Sequence, residues 1–164
     1  MGRPSTPAGG ARGYSPSAPP PDSLPSDKDI RSFIENDRPT ELVSAADKIG
    51  SWLKRLDLKT SQIRNVFGTV RKIQLSWDMD PARWYRETVL LMPKLGYYAE
   101  REKQRTKTEG MKTLERVLLP AIEAITDADK LPEADKVKRE RFMRFADFFE
   151  AIVAYHKKYG GREN

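Results

Sequence analysis

The sequence has no cysteine and one histidine, His156. The first absence excludes disulfides, thiolate chemistry and cysteine zinc sites, and the second puts histidine metal clusters and catalytic triads out of reach. Apolar runs such as Val89 to Pro93 are far shorter than a membrane span, and the first residues lack the hydrophobic stretch of a signal peptide. The cytoplasm is the expected compartment. There is no phosphate-binding glycine loop, no nucleophile elbow, no internal period and no sustained strand-like alternation. An enzyme active site is not expected, and neither is a metal or a cofactor.

What the chain does have is apolar spacing and positive charge. Its 164 residues are 38% hydrophobic, enough for one domain with a real core, and the net charge is +6. A surplus of that sign suits an anionic partner such as nucleic acid. Residues 1 to 27 hold seven of the twelve prolines, four glycines and five serines, with Leu24 the only aliphatic side chain larger than alanine. That composition predicts a disordered tail followed by a domain over 28–164. The tail's charges cancel, Arg3 and Arg12 against Asp22 and Asp27, so the surplus belongs to the folded part.

The strongest periodic segment is the last, Arg139 to Gly161. Phe142, Phe145, Phe149, Ile152, His156 and Tyr159 recur with Ala146 and Val153 at the spacing of one buried helical face. Phe148 and Tyr155 widen that face toward a second neighbour. Lys157 and Lys158 complement the helix dipole, and Gly160-Gly161 can close the last turn. Upstream, a short helical piece is expected around Ile30, Phe33 and Ile34, with Pro39 interrupting it. Thr40 is the expected cap of a helix to about Leu56. Thr60 or Ser61 should cap the next, whose buried stripe is Ile63, Val66, Phe67, Val70, Ile73 and Trp77. Asp80-Pro81 starts a third, kinked near Pro93 and ending before a polar stretch from Arg101 to Gly110. A fourth covers Met111 to Ile125, interrupted by Pro120, and Thr126 to Pro132 is a loop. The fold class is an all-α bundle of about five helices.

Candidate chemistry is sparse. Asp78 with Asp80 and Asp127 with Asp129 are carboxylate pairs, but Asp80 is explained as a cap and Asp127-Ala-Asp129 lacks the remaining ligands of a calcium loop. His156 falls on the core-facing stripe with no carboxylate and no serine or threonine hydroxyl one turn away, the position of a packing histidine.

The basic residues are better ordered. Arg64, Gly68 and Arg71 lie at i, i+4 and i+7 opposite the buried stripe, with Lys59 just before the cap. Seven residues advance about 10.5 Å along a helix, a step that lets two guanidiniums reach phosphates one or two nucleotides apart. Lys94, Tyr98, Arg101 and Arg105 repeat the spacing with an aromatic interleaved, a mixture able to clamp phosphate and stack on a base. By spacing alone these stripes are as compatible with ordinary solvated faces. A helix-turn-helix DNA binder with Thr60 to Val70 as recognition helix, or a bundle that binds only proteins, also remains open.

Three blocks carry a resemblance: Thr60-Ser61-Gln62-Ile63-Arg64-Asn65, Leu95-Gly96-Tyr97-Tyr98-Ala99-Glu100-Arg101, and Phe148 through Gly161. In this order they resemble the small subunit of type III-A CRISPR effector complexes, the Csm complexes, over about Thr40 to Gly161. The resemblance implies a helical bundle present in several copies, stacked along the guide RNA and its paired target in antiviral defence. It also implies a non-catalytic subunit that grips RNA backbone without reading bases, with target cleavage on a neighbouring subunit. Partners would be crRNA, target RNA, the other Csm subunits and further copies of itself. Matching blocks place Arg64 and Arg101 among the RNA contacts. Lys59, Arg71, Lys94 and Arg105 join them on spacing.

Overall fold

Helical spacing governs nearly every segment. In the computed structural model, which describes residues 24–161, the helices are α1 (Asp27–Glu35), α2 (Pro39–Arg55), α3 (Thr60–Leu75), α4 (Pro81–Thr106), α5 (Gly110–Thr126) and α6 (Ala134–Lys158). A 3₁₀ turn, Asp127–Lys130, occupies the expected loop before α6. The described residues contain no strand, and the fold is the expected all-α bundle, the short α1 being one of its six helices. Residues 1–23 of the expected tail lie outside the described residues. At its other end, Leu24 packs against the core, and Ser26 closes a capping box with Asp29. The first helix therefore begins at Asp27, where the tail was expected to end.

Several starts differ from expectation for local reasons. Pro39 opens α2 at its first position instead of interrupting α1, because the N–H that proline lacks has no helical partner there. Lys59, not Thr60 or Ser61, stands at the α3 cap, and its backbone N–H is accepted by Gln62 Oε1 at 2.9 Å. Asp80 caps α4 as expected, accepting from the Arg83 N–H at 3.1 Å. The expected polar break at Arg101 is absent: α4 runs on to Thr106, and Lys107 ends it in the left-handed conformation. Pro120 lies within a continuous α5.

Helix α6 is the centre of the bundle, packed against α2, α5, α3 and α1, while α4 lies at the side against α5 and α3. Phe142, Phe145, Phe148 and Phe149 are fully buried. Each meets an aromatic ring or another helix: Phe148 meets Phe33 of α1 edge-on at 5.0 Å, Phe149 meets Phe67 of α3 at 5.3 Å, and Phe142 meets Trp77 and Trp84 at 5.1 and 5.5 Å. Tyr159, expected in the same stripe, is exposed because it lies beyond the last turn, where its hydroxyl bonds Asp47. The end of α6 is a Schellman motif. Gly160 N–H bonds the Lys157 carbonyl and Gly161 N–H the His156 carbonyl, with Gly160 at φ +93°. α2 and α6 approach closely at Gly50, where an added Cβ would stand 2.7 Å from both the Cβ of Tyr155 and the backbone nitrogen of His156.

Candidate nucleic-acid interface

Several basic side chains hold the bundle together. Arg31 bridges Glu35 and Asp127 at 3.1 and 2.5 Å, Lys138 pairs with Asp129 at 2.7 Å over the Tyr85 ring, and Arg139 pairs with Asp78 at 3.0 Å over Trp77. Arg141 donates to the Ala124 carbonyl of α5, and Arg144 to the Ile34 and Glu35 carbonyls at the end of α1. The carboxylate pairs read as structural in the sequence are divided among these same contacts and the Asp80 cap.

The six expected contact residues are placed on two lines. Lys59, Arg101 and Arg105 come together on one groove of about 260 Å³ between the start of α3 and the end of α4. Tyr98, Val66 and Met111 give its lining an apolar part, and Gln62 and Asn65 supply amides. Lys94 is exposed one turn before Tyr98 and does not line the groove, while Arg64 and Arg71 stand exposed on α3. Arg71 reaches Gln74 Oε1 at 3.1 Å and lies 6.0 Å from the Phe67 ring centre. Lys94, Arg101 and Arg105 take part in no ion pair among the described residues.

Two features of this region were missed in the sequence. Tyr97, not Tyr98, is the exposed aromatic of α4, 61% accessible, with its ring 5.7 Å from that of Tyr98. Lys94, Tyr97 and Arg101 lie at i, i+3 and i+7, a spacing as helical as the one through Tyr98, so periodicity alone did not choose between the two tyrosines. The second is Glu102, buried beneath the groove. Its Oε1 accepts from the Met111 N–H at 2.8 Å and so satisfies the start of α5. Burial raises its carboxyl above the usual range, while hydrogen bonds from Met111, Thr108 and Gln62 act in the opposite direction. Nothing in the charged run Glu100 to Lys103 marks that one carboxylate turns inward.

Fold and groove together define an all-helical bundle with a cationic, aromatic-walled cleft along one side. A model of the Csm2 type III-A family matches residues 36–162. The chain belongs to that family, and it is a small subunit of the type III-A Csm complex with the other Csm subunits as its partners. No curated protein and no solved structure matches it. Among the described residues, no helix is long and apolar enough to cross a membrane.

Proposed function

We propose that this subunit is a non-catalytic, cytoplasmic scaffold of antiviral defence that stacks in several copies and holds the backbone of crRNA and target RNA without reading sequence. The observation that carries this reading is the meeting of Lys59, Arg101 and Arg105 on one groove, away from the ion pairs that fasten the bundle. Cations held out of internal pairs are available to phosphates, and such contacts give affinity that falls with salt and is indifferent to sequence. Arg64 and Arg71, two turns apart on α3, extend the cationic surface beyond the groove. Stacking of copies requires a heterologous contact that does not close, which an isolated subunit need not display.

Isolating the tagged chain from its native cells tests the assignment. A short RNA of uniform length together with larger Csm subunits is the expected result. A chain that comes away alone and without RNA contradicts it, and a preference for duplex DNA of defined sequence points to the helix-turn-helix alternative instead.

A further inference from the structure

The groove between α3 and α4 has a cationic rim but an acceptor floor. Lys59, Arg101 and Arg105 are at least partly exposed around it, while the carboxylate of Glu102 is buried below, fixed by the Met111 N–H. A phosphate pressed to the bottom would meet carboxylate oxygens, so its place is the rim. The remaining lining is uncharged: the Tyr98 ring, the apolar side chains of Val66 and Met111, the amides of Gln62 and Asn65, and the Thr106 hydroxyl. Flat apolar walls with a few amides suit a nucleobase, which has two apolar faces and a polar edge.

Size and amide geometry narrow the occupant. A volume of about 260 Å³ lies just under the roughly 300–1,000 Å³ of drug-sized ligand sites, which admits one nucleoside and excludes a base pair with its stacked neighbours. Gln62 is already engaged, its Oε1 accepting from the Lys59 N–H at 2.9 Å. The exposed Asn65 side chain has no hydrogen bond among the described residues. It offers one donor and one acceptor side by side, the pattern that pairs with a base edge.

We infer that the α3–α4 groove is a pocket for one unpaired RNA nucleotide, whose base lies against Tyr98 with its edge on Asn65 while Lys59, Arg101 and Arg105 hold the adjoining phosphates. This rests on the backbone-binding reading above and adds a base to it. Stacking needs only a π-face, and every base carries an adjacent donor and acceptor on its Watson–Crick edge that the Asn65 amide can meet by turning over, so the pocket accepts any base and leaves recognition independent of sequence.

The test is the affinity of the full chain for a short single-stranded RNA and for the same strand made abasic throughout, measured by fluorescence anisotropy. The base-bearing strand is expected to bind roughly tenfold more tightly. Asn65→Ala and Tyr98→Leu should each narrow that gap, and Asn65, being exposed, keeps the test valid even where Tyr98→Leu fails to fold. Arg101→Ala should weaken both strands alike. Equal affinity of the unaltered protein for the two strands, or a gap untouched by Asn65→Ala, overturns the base pocket. If Arg101→Ala binds both strands as well as the unaltered protein, the failure lies in the backbone reading itself.

Discussion

Nε2 of His156, on the central helix, stands 2.6 Å from the carbonyl oxygen of Leu58 in the α2–α3 connection, and both residues are buried. A carbonyl only accepts, so Nε2–H is the donor and Nδ1 is the bare nitrogen of a neutral ring. That Nδ1 is buried with no hydrogen-bond partner. Adding a proton there would create a buried donor with nothing to receive it.

Stability should therefore respond to acid through His156. Burial lowers its pKa below the ordinary 6.5, helped by Lys157 and opposed by the Leu58 bond. The unfolded chain thus binds the proton more readily than the folded one, so the contribution is complete above about pH 6.5 and is lost as pH falls through the folded value. Glu102 and Asp147, raised mainly by burial, act with the opposite sign: their contribution is present below their unfolded values and is lost as pH rises through the folded ones. Urea unfolding between about pH 8 and pH 5, compared with His156→Phe, separates the two effects. The variant should lose the histidine-linked fall. It should also be less stable at neutral pH by about 1–3 kcal/mol, because the Leu58 carbonyl is orphaned.

Arg144 closes the end of α1, its Nη1 3.0 Å from the Ile34 carbonyl and 3.3 Å from that of Glu35. Arg144→Met keeps the length of the stem and removes both bonds. The expected cost is about 1.5–3 kcal/mol for hydrogen bonds to a charged donor, seen as a melting temperature lower by roughly 4–10 °C. An unchanged melting temperature would mean that the apolar contacts of Phe33 and its neighbours, with the Arg31–Asp127 ion pair, suffice to hold α1.

Gly68 and Gly50 should behave in opposite ways when changed to alanine. A Cβ on Gly68 would meet nothing within 4 Å, so Gly68→Ala should stabilise α3 by about 0.5–1 kcal/mol. Should RNA approach the α3 backbone between Arg64 and Arg71, the same change weakens RNA binding while raising stability. At Gly50 the Cβ would press on Tyr155 and the α6 backbone, and Gly50→Ala should destabilise by about 1–3 kcal/mol. Thermal unfolding of both variants, with an RNA titration of the first, checks the three outcomes.

The parts of the fold legible in the sequence were those set by periodicity and by caps with one physical reading. The phenylalanine stripe of α6, the Asp80-Pro81 start and the Gly160-Gly161 stop are all of this kind, and all stand where spacing put them. Helix limits in charged stretches were less legible, because a run such as Arg101 to Thr106 has no apolar period to mark whether the helix continues. The site was divided in the same way. Spacing along one helix proposed Arg101 with Arg105, but only packing of α3 against α4 brings Lys59 and Gln62 to the same groove. The inward turn of Glu102 answers the Met111 N–H, which has no partner within its own helix, a relation that no single-helix pattern contains.

The central claim is that the rim arginines hold RNA phosphates, and the most direct measurement is the salt dependence of binding to a single-stranded RNA for the unaltered chain and for Arg101→Ala/Arg105→Ala. Both arginines are exposed, so the variant should fold as the parent does. For single strands, each phosphate contact contributes roughly 0.7 to the slope of log affinity against log salt. The account predicts weaker binding at low salt and a slope shallower by about 1.4 for the double variant. The same affinity and slope for both proteins would contradict it.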